Sequence, residues 1–165
     1  MPPRAAGGGR MRWLDTRIPP PLVAAATALG MWLAAPAAAR AAAWPSTPLR
    51  LALAVAIALA GGAAAAAGSR AFKRAKTTLN PLRPHKAAAL VTDGVYARTR
   101  NPMYLGLALV LAGVAAWLWW LPALLGPIVF AAYTTRFQIR PEERALGARF
   151  GADYDAYCRR VRRWY

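Results

Sequence analysis

Apolar residues along this chain come in long unbroken runs, without the short alternation of a half-buried strand or an amphipathic surface helix. One run extends from Leu22 to about Ala39, with Pro36 inside it. A second, rich in alanine, extends from Leu49 to Gly68. That is the length of about 20 residues that crosses the hydrocarbon core of a bilayer. A third run, Pro102 to about Tyr133, is too long for one crossing and is interrupted by Pro122, Gly126 and Pro127. The pattern predicts spans at about 22–39, 49–68, 103–120 and 122–139. A tight turn is expected near Trp119, Trp120 and Pro122, where aromatic rings suit the membrane–water interface. Backbone polar groups in lipid must pair within their own segment, so the spans are helices. The expected fold is an all-α integral membrane protein of about four transmembrane helices with a C-terminal amphipathic helical tail. Gly106, Gly113 and the many alanines permit close helix packing. Residues 1–20, rich in Gly, Pro and Arg, predict a disordered basic tail, and 21–165 a single domain.

Charge adds an orientation. Lys and Arg number 22 against 6 Asp and Glu, a formal net charge of +16 over 165 residues. Such an excess suits nucleic acid, anionic lipid or cytoplasmic loops. Residues 16–92 hold no acid yet contain two apolar runs, so charge and apolar surface are segregated along the chain. A nucleic-acid domain interleaves them, and nucleic acid is set aside. Four basic residues precede the first span, and only Arg40 and Arg50 follow it. Eight lie between Arg70 and Arg100, none near Pro122, and eight between Arg136 and Arg163. The alternation places both termini on the cytoplasmic side. Arg4 to Arg17, the first apolar run and Ala37-Ala38-Ala39 also have the form of a signal peptide. The charge pattern closes without cleavage, so retention is expected. Cys158 is the single cysteine, which excludes an intrachain disulfide. The spans carry almost no ionisable residue, which disfavours an ion pathway.

Two polar clusters bracket the third apolar run. In the first, Asp93-Gly94 is a turn signal, and Asn101-Pro102 has the form of a helix start with Asn as N-cap. A helix N-terminus there can hold an anion. Tyr96 and Tyr104 flank it and can stack on a base or cover a cation. A capped helix with interfacial tyrosines explains the same residues. In the second, Glu142 and Glu143 are the only glutamates, with Arg136, Arg140, Arg144 and Arg149 around them. Acids after Pro141 suit the first turn of a helix. They also suit a carboxylate that meets a cationic or hydroxyl-bearing ligand, with Arg140 or Arg136 for an acidic group. His85 is the only histidine, and with one cysteine it cannot build a metal site.

Three spaced blocks carry a resemblance. They are Leu90-Val91-Thr92-x-Gly94-Val95-Tyr96-x-x-x-Arg100-Asn101-Pro102-x-Tyr104-x-Gly106, Glu142-Glu143-x-x-Leu146, and Phe150-Gly151-x-x-Tyr154-x-x-Tyr157. Together they resemble the isoprenylcysteine carboxyl methyltransferase and phospholipid methyltransferase superfamily, in its bacterial form, over about residues 72–163. The resemblance implies an integral protein of the bacterial inner membrane that uses S-adenosylmethionine at a cytoplasmic cofactor site. It implies cofactor contacts at Leu90, Val91, Tyr96, Arg100, Asn101, Pro102, Met103, Tyr104 and Glu142, and catalytic roles for Arg140 and Glu143. Asn101 stands where the eukaryotic carboxyl methyltransferases have histidine. The implied partners are the lipid bilayer and a lipophilic or small amphipathic methyl acceptor bearing a carboxylate, amine or thiol, with no metal. Membrane reductases of the steroid reductase type, which use NADPH, share a related C-terminal block. They place Glu after the Tyr-x-Gly element, where this chain has Leu107. A small membrane scaffold is the non-enzymatic alternative.

Overall fold

The structure, a computed structural model, describes residues 15–43, 47–75 and 89–165. Residues 1–14 of the expected tail, and His85, lie outside these. The described residues form helices and turns, with no strand among them. The helices are α1 (Pro20–Ala34), α2 (Ala37–Ala43), α3 (Pro48–Arg74), α4 (Pro102–Leu118), α5 (Leu125–Thr134), α6 (Arg140–Phe150) and α7 (Ala152–Arg160).

Helix α3 has 27 residues, and its most apolar 18-residue stretch has a mean hydropathy of 2.0. At 1.5 Å per residue it is about 40 Å long, enough to cross a bilayer. It packs antiparallel to α4 through a stripe of small residues. A Cβ on Gly61 would lie 2.5 Å from the Gly106 carbonyl, and one on Gly113 would lie 2.8 Å from the Ala54 carbonyl. Gly68 meets Met103 and Pro102 in the same way. The small positions 54, 58, 61, 65 and 68 recur at alternating steps of four and three, so they keep to one face. Small side chains let two backbones touch, which is how helices associate in lipid, where there is no hydrophobic drive.

The first expected span, 22–39, is not one helix. Pro36 removes a backbone donor and forces Ala35 out of the helical region, to φ −64° and ψ 137°. The chain turns through 113° between α1 and α2. Arg40 then reaches back and donates to the carbonyls of Ala35, Leu33 and Trp32 at 2.7, 3.2 and 3.3 Å. Arg50 caps the far end of α4, its guanidinium donating to the Trp117 carbonyl, and also donates to the Ala42 carbonyl. Arg40 of α2 and Arg50 of α3 therefore both cap helix C-termini, where a cation is favoured. The core of this half joins α1, α4 and α5 through Met31, Leu111, Leu118 and Phe130.

Trp119 turns the chain with a left-handed φ of 50°, and a 3-10 turn at Leu121–Leu124 leads into α5. The turn lies where the aromatic and proline residues predict it. Beyond α5 the backbone does not stop at residue 139. It runs through a π turn, Thr135–Ile139, into α6 without leaving helical angles. Pro141 therefore sits inside a continuous helix. It has no N–H to give the Phe137 carbonyl four residues back. The Thr16 N–H donates to that carbonyl instead, at 2.8 Å. Residues 15–18 are stitched to this point in two further ways. Gln138 donates to the Ile18 carbonyl at 2.7 Å, and Asp15 pairs with Arg144 at 3.0 Å and Arg136 at 3.4 Å.

Candidate functional site

At the end of the α3–α4 pair marked by Gly68 and Pro102, five segments converge on a cavity of about 650 Å³ including its open mouth. They are the end of α3, the loop 89–101, the first turns of α4 and α6, and α7. The loop is held by the chemistry of its own residues. Gly94 takes a φ of 57°, a conformation that suits a residue without a Cβ, and opens a 3-10 turn at Gly94–Ala97. Tyr96 in that turn meets Phe72 of α3 edge-on, with ring centres 5.3 Å apart. Its carbonyl accepts from the Tyr157 hydroxyl of α7 at 2.8 Å. Gly151, at φ 49°, breaks α6 from α7 and lets α7 fold back, so that Tyr154 and Tyr157 pack with Leu90 and Leu146.

The two glutamates have different surroundings. Glu142 accepts from the Tyr104 hydroxyl at 2.5 Å. Glu143 is bound by two guanidinium groups. Arg163 donates Nε and Nη2 to its two oxygens at 2.9 and 2.7 Å, a bidentate pair, and Arg100 Nη2 donates at 2.9 Å. Burial pushes the Glu142 carboxyl up to about 7; the Tyr104 hydrogen bond pulls it down and the Glu143 charge pushes it up. Burial likewise raises the phenol of Tyr96, helped by Tyr157 and Glu142. The Glu143 hydrogen bond raises Arg163. Arg100 keeps its Nε buried with no partner among the described residues.

Leu90, Val91, Tyr96, Arg100, Asn101, Met103, Tyr104, Glu142 and Glu143 all line the cavity. Pro102 does not: it is buried against Gly68 of α3. Arg140 is exposed and forms no part of the wall, so the catalytic role expected of it has no support in its position. Its neighbour Arg136 pairs with Asp15. Asn101 precedes α4 as expected, yet its side chain does not cap the helix. It donates instead to the Arg163 carbonyl at 2.9 Å.

Sequence reasoning did not single out Phe72, Ile139 or Arg163. Phe72 lies among basic residues past the second apolar run and Ile139 ends the fourth expected span, and only the cavity gives them a further role. Arg163 stood among eight basic residues. Its signal was indirect: a half-buried glutamate needs a cation, and Arg163 supplies one from 20 residues away.

The described residues form a helical fold with one helix, α3, long and apolar enough to cross a membrane, and a two-signed pocket at one end of an apolar helix pair. The phospholipid methyltransferase family pattern matches residues 49–153, and the chain belongs to that family. The family implies a membrane methyltransferase, as the three sequence blocks led one to expect. An uncharacterized protein of Haemophilus influenzae is 44% identical over 62 residues, which cover 38% of this chain and 98% of that protein. No solved structure matches.

Proposed function

We propose that this protein is an S-adenosylmethionine-dependent methyltransferase, with the cofactor in the cavity between loop 89–101, α4 and α6. The acceptor is a lipophilic or small amphipathic molecule that offers a carboxylate, amine or thiol. One observation carries the reading: a single cavity holds a carboxylate that no cation among the described residues neutralises and a guanidinium with a spare donor. Glu142 has a phenol as its partner, and Arg100 has a buried Nε without one. A zwitterionic amino-acid head needs such a pair, an anion for its ammonium and a cation for its carboxylate. Four tyrosines, Tyr96, Tyr104, Tyr154 and Tyr157, share the wall and suit a sulfonium or an adenine ring.

When bound, S-adenosylmethionine supplies an electrophilic methyl group on a cationic sulfur. The chain's own residues bind and orient. Glu142 holds the ammonium, Arg100 the carboxylate, and the apolar side chains of Leu90, Val91, Met103 and Leu146 exclude water. Alignment supplies much of the catalysis of such a displacement, so no nucleophile on the protein is required. We place the cavity at the cytoplasmic face of four crossings formed by α1 with α2, α3, α4 and α5, with both termini on that side. Residues 21–165 then act as one domain. A reporter fused after Tyr165 reads cytoplasmic on this topology, and a periplasmic signal contradicts it.

The test of function is transfer. Purified protein given methyl-labelled S-adenosylmethionine and lipid or small-molecule extracts should label a product that the Glu142→Ala variant does not. No labelled product from any extract, with NADPH consumed instead, would replace this reading by a reductase.

A further inference from the structure

Beyond α7 the last five residues leave the helix extended, Val161 having φ −122° and ψ 129°. Four of their polar groups, the Arg162 and Arg163 carbonyls, the Arg163 guanidinium and the Trp164 indole N–H, go to the cavity wall or its support. The Arg162 carbonyl accepts from the Arg100 N–H at 3.0 Å. The Arg163 carbonyl accepts from Asn101 Nδ2 at 2.9 Å and from the Thr99 hydroxyl at 3.4 Å. Trp164 Nε1 donates to the Thr135 hydroxyl at 3.2 Å, tying the strap to the π turn. Val161 is buried with Tyr154 and Tyr157. Arg163 itself does not line the cavity, whereas Arg100, Asn101 and Glu143, which it holds, all do.

The charges explain why such a strap is useful. Glu142 and Glu143 are adjacent in sequence, and two unpaired carboxylates would draw Arg100 fully into their own field. Arg163 gives Glu143 a second cation. Arg100 then keeps one nitrogen on Glu143 and leaves Nε free. We propose that Arg163 is a positioning residue, and that the strap 161–165 fixes Arg100 and Asn101 for a bound anionic group. The proposal rests on the reading that the cavity takes S-adenosylmethionine, whose carboxylate is that group. Glu143 is then a structural counter-ion with no catalytic part.

The experiment is equilibrium binding of S-adenosylmethionine to the full-length protein in detergent, with thermal melting alongside. Arg163→Ala should weaken binding about tenfold, within the range of coupled charged contacts. Arg163→Lys should restore most of the loss, and Trp164→Phe should weaken binding about twofold. Glu143→Gln should resemble Arg163→Ala, and the double variant should be no more than about twofold worse than the weaker single, because both break one unit. Fully additive losses, or unchanged affinity in Arg163→Ala, overturn the proposal. Should Arg163→Ala fail to fold, Trp164→Phe and Arg163→Lys decide: parental affinity in Trp164→Phe together with a full tenfold loss in Arg163→Lys, each melting normally, overturns it. A parent that does not bind at all overturns the cofactor reading itself.

Discussion

The α3–α4 pair has a cavity towards each end, and the two differ in kind. The one near Gly68 and Pro102, about 650 Å³ with the solvent at its open mouth, is walled by Arg100, Glu142, Glu143 and four tyrosines among others. The other, about 870 Å³ with the solvent at its open mouth, is walled by alanine, valine and leucine side chains and Gly113 of α3 and α4, with Ala43 and Trp117. The larger space has no charged side chain in its wall. Arg50, at that end, is held by the carbonyls of Trp117 and Ala42. The helices are built alike at both ends, so the contrast comes from the segments attached to them. Loop 89–101 and α6 bring acids, arginines and tyrosines to one end only. Volume in an apolar helix pair is a by-product of small residues at a close crossing; chemistry has to be brought to it from outside the pair.

Breaking the crossing itself should do the most damage. Gly61→Leu puts a side chain where even a Cβ lies 2.5 Å from the Gly106 carbonyl. Folded protein recovered from membranes should fall below detection by size exclusion, because a close backbone contact has no slack to absorb it. Near-parental yield would show that the small-residue stripe does not hold the pair.

Next in size is the charged end alone. Glu142→Ala should weaken S-adenosylmethionine by about 100-fold or more, as expected for removing one partner of a desolvated charge pair. Its melting temperature should change little by comparison.

Acidity should sharpen the same contrast. The Glu142 carboxyl is pushed up to about 7, chiefly by burial. It is neutral below that pH and ionised above it. A cationic ligand prefers the ionised form, so affinity should rise by up to about tenfold per pH unit below 7 and level off above. Stability without ligand should run the other way. The unfolded chain ionises near 4.5 and the folded one near 7, so the contribution is complete below 4.5 and lost as pH rises through 7. Glu142→Gln should flatten both profiles, and a pH-independent affinity in the parent would remove Glu142 from the ligand.

The smallest effect belongs to the apolar end. Val114→Ala there should leave S-adenosylmethionine affinity within about twofold, since single changes this far from a ligand couple weakly. A tenfold loss would mean the two ends act together.

The sequence made the composition of the charged end legible, because its residues lie in two short polar clusters between apolar runs. Asp93-Gly94 and Asn101-Pro102 mark a turn and a helix start that the structure has, and the turn at Trp119 to Pro122 is where proline and aromatic residues indicate. The features that were not legible depend on long-range partners. Apolar length alone could not show that Pro36 splits the first run by 113°. Nor could it show that the helical backbone runs on from α5 through the π turn into α6, because the donor that completes the Phe137 carbonyl comes from Thr16, near the other end of the chain. Glu142 and Glu143 look equivalent as neighbours, and only the fold gives one a phenol and the other two guanidinium groups. Arg140 looked suited to a ligand by sequence proximity, yet a helix turns successive residues by about 100°, which leaves Arg140 exposed while Glu142 and Glu143 face the cavity.

Calorimetric titration of the detergent-purified protein with S-adenosylmethionine, beside Glu142→Ala and with NADPH as the competing ligand, goes to the centre of the proposal. Saturable binding of S-adenosylmethionine to the parent, lost in Glu142→Ala, with no heat from NADPH, is the expected result. Binding of NADPH alone, or identical titrations for the parent and Glu142→Ala, would contradict it.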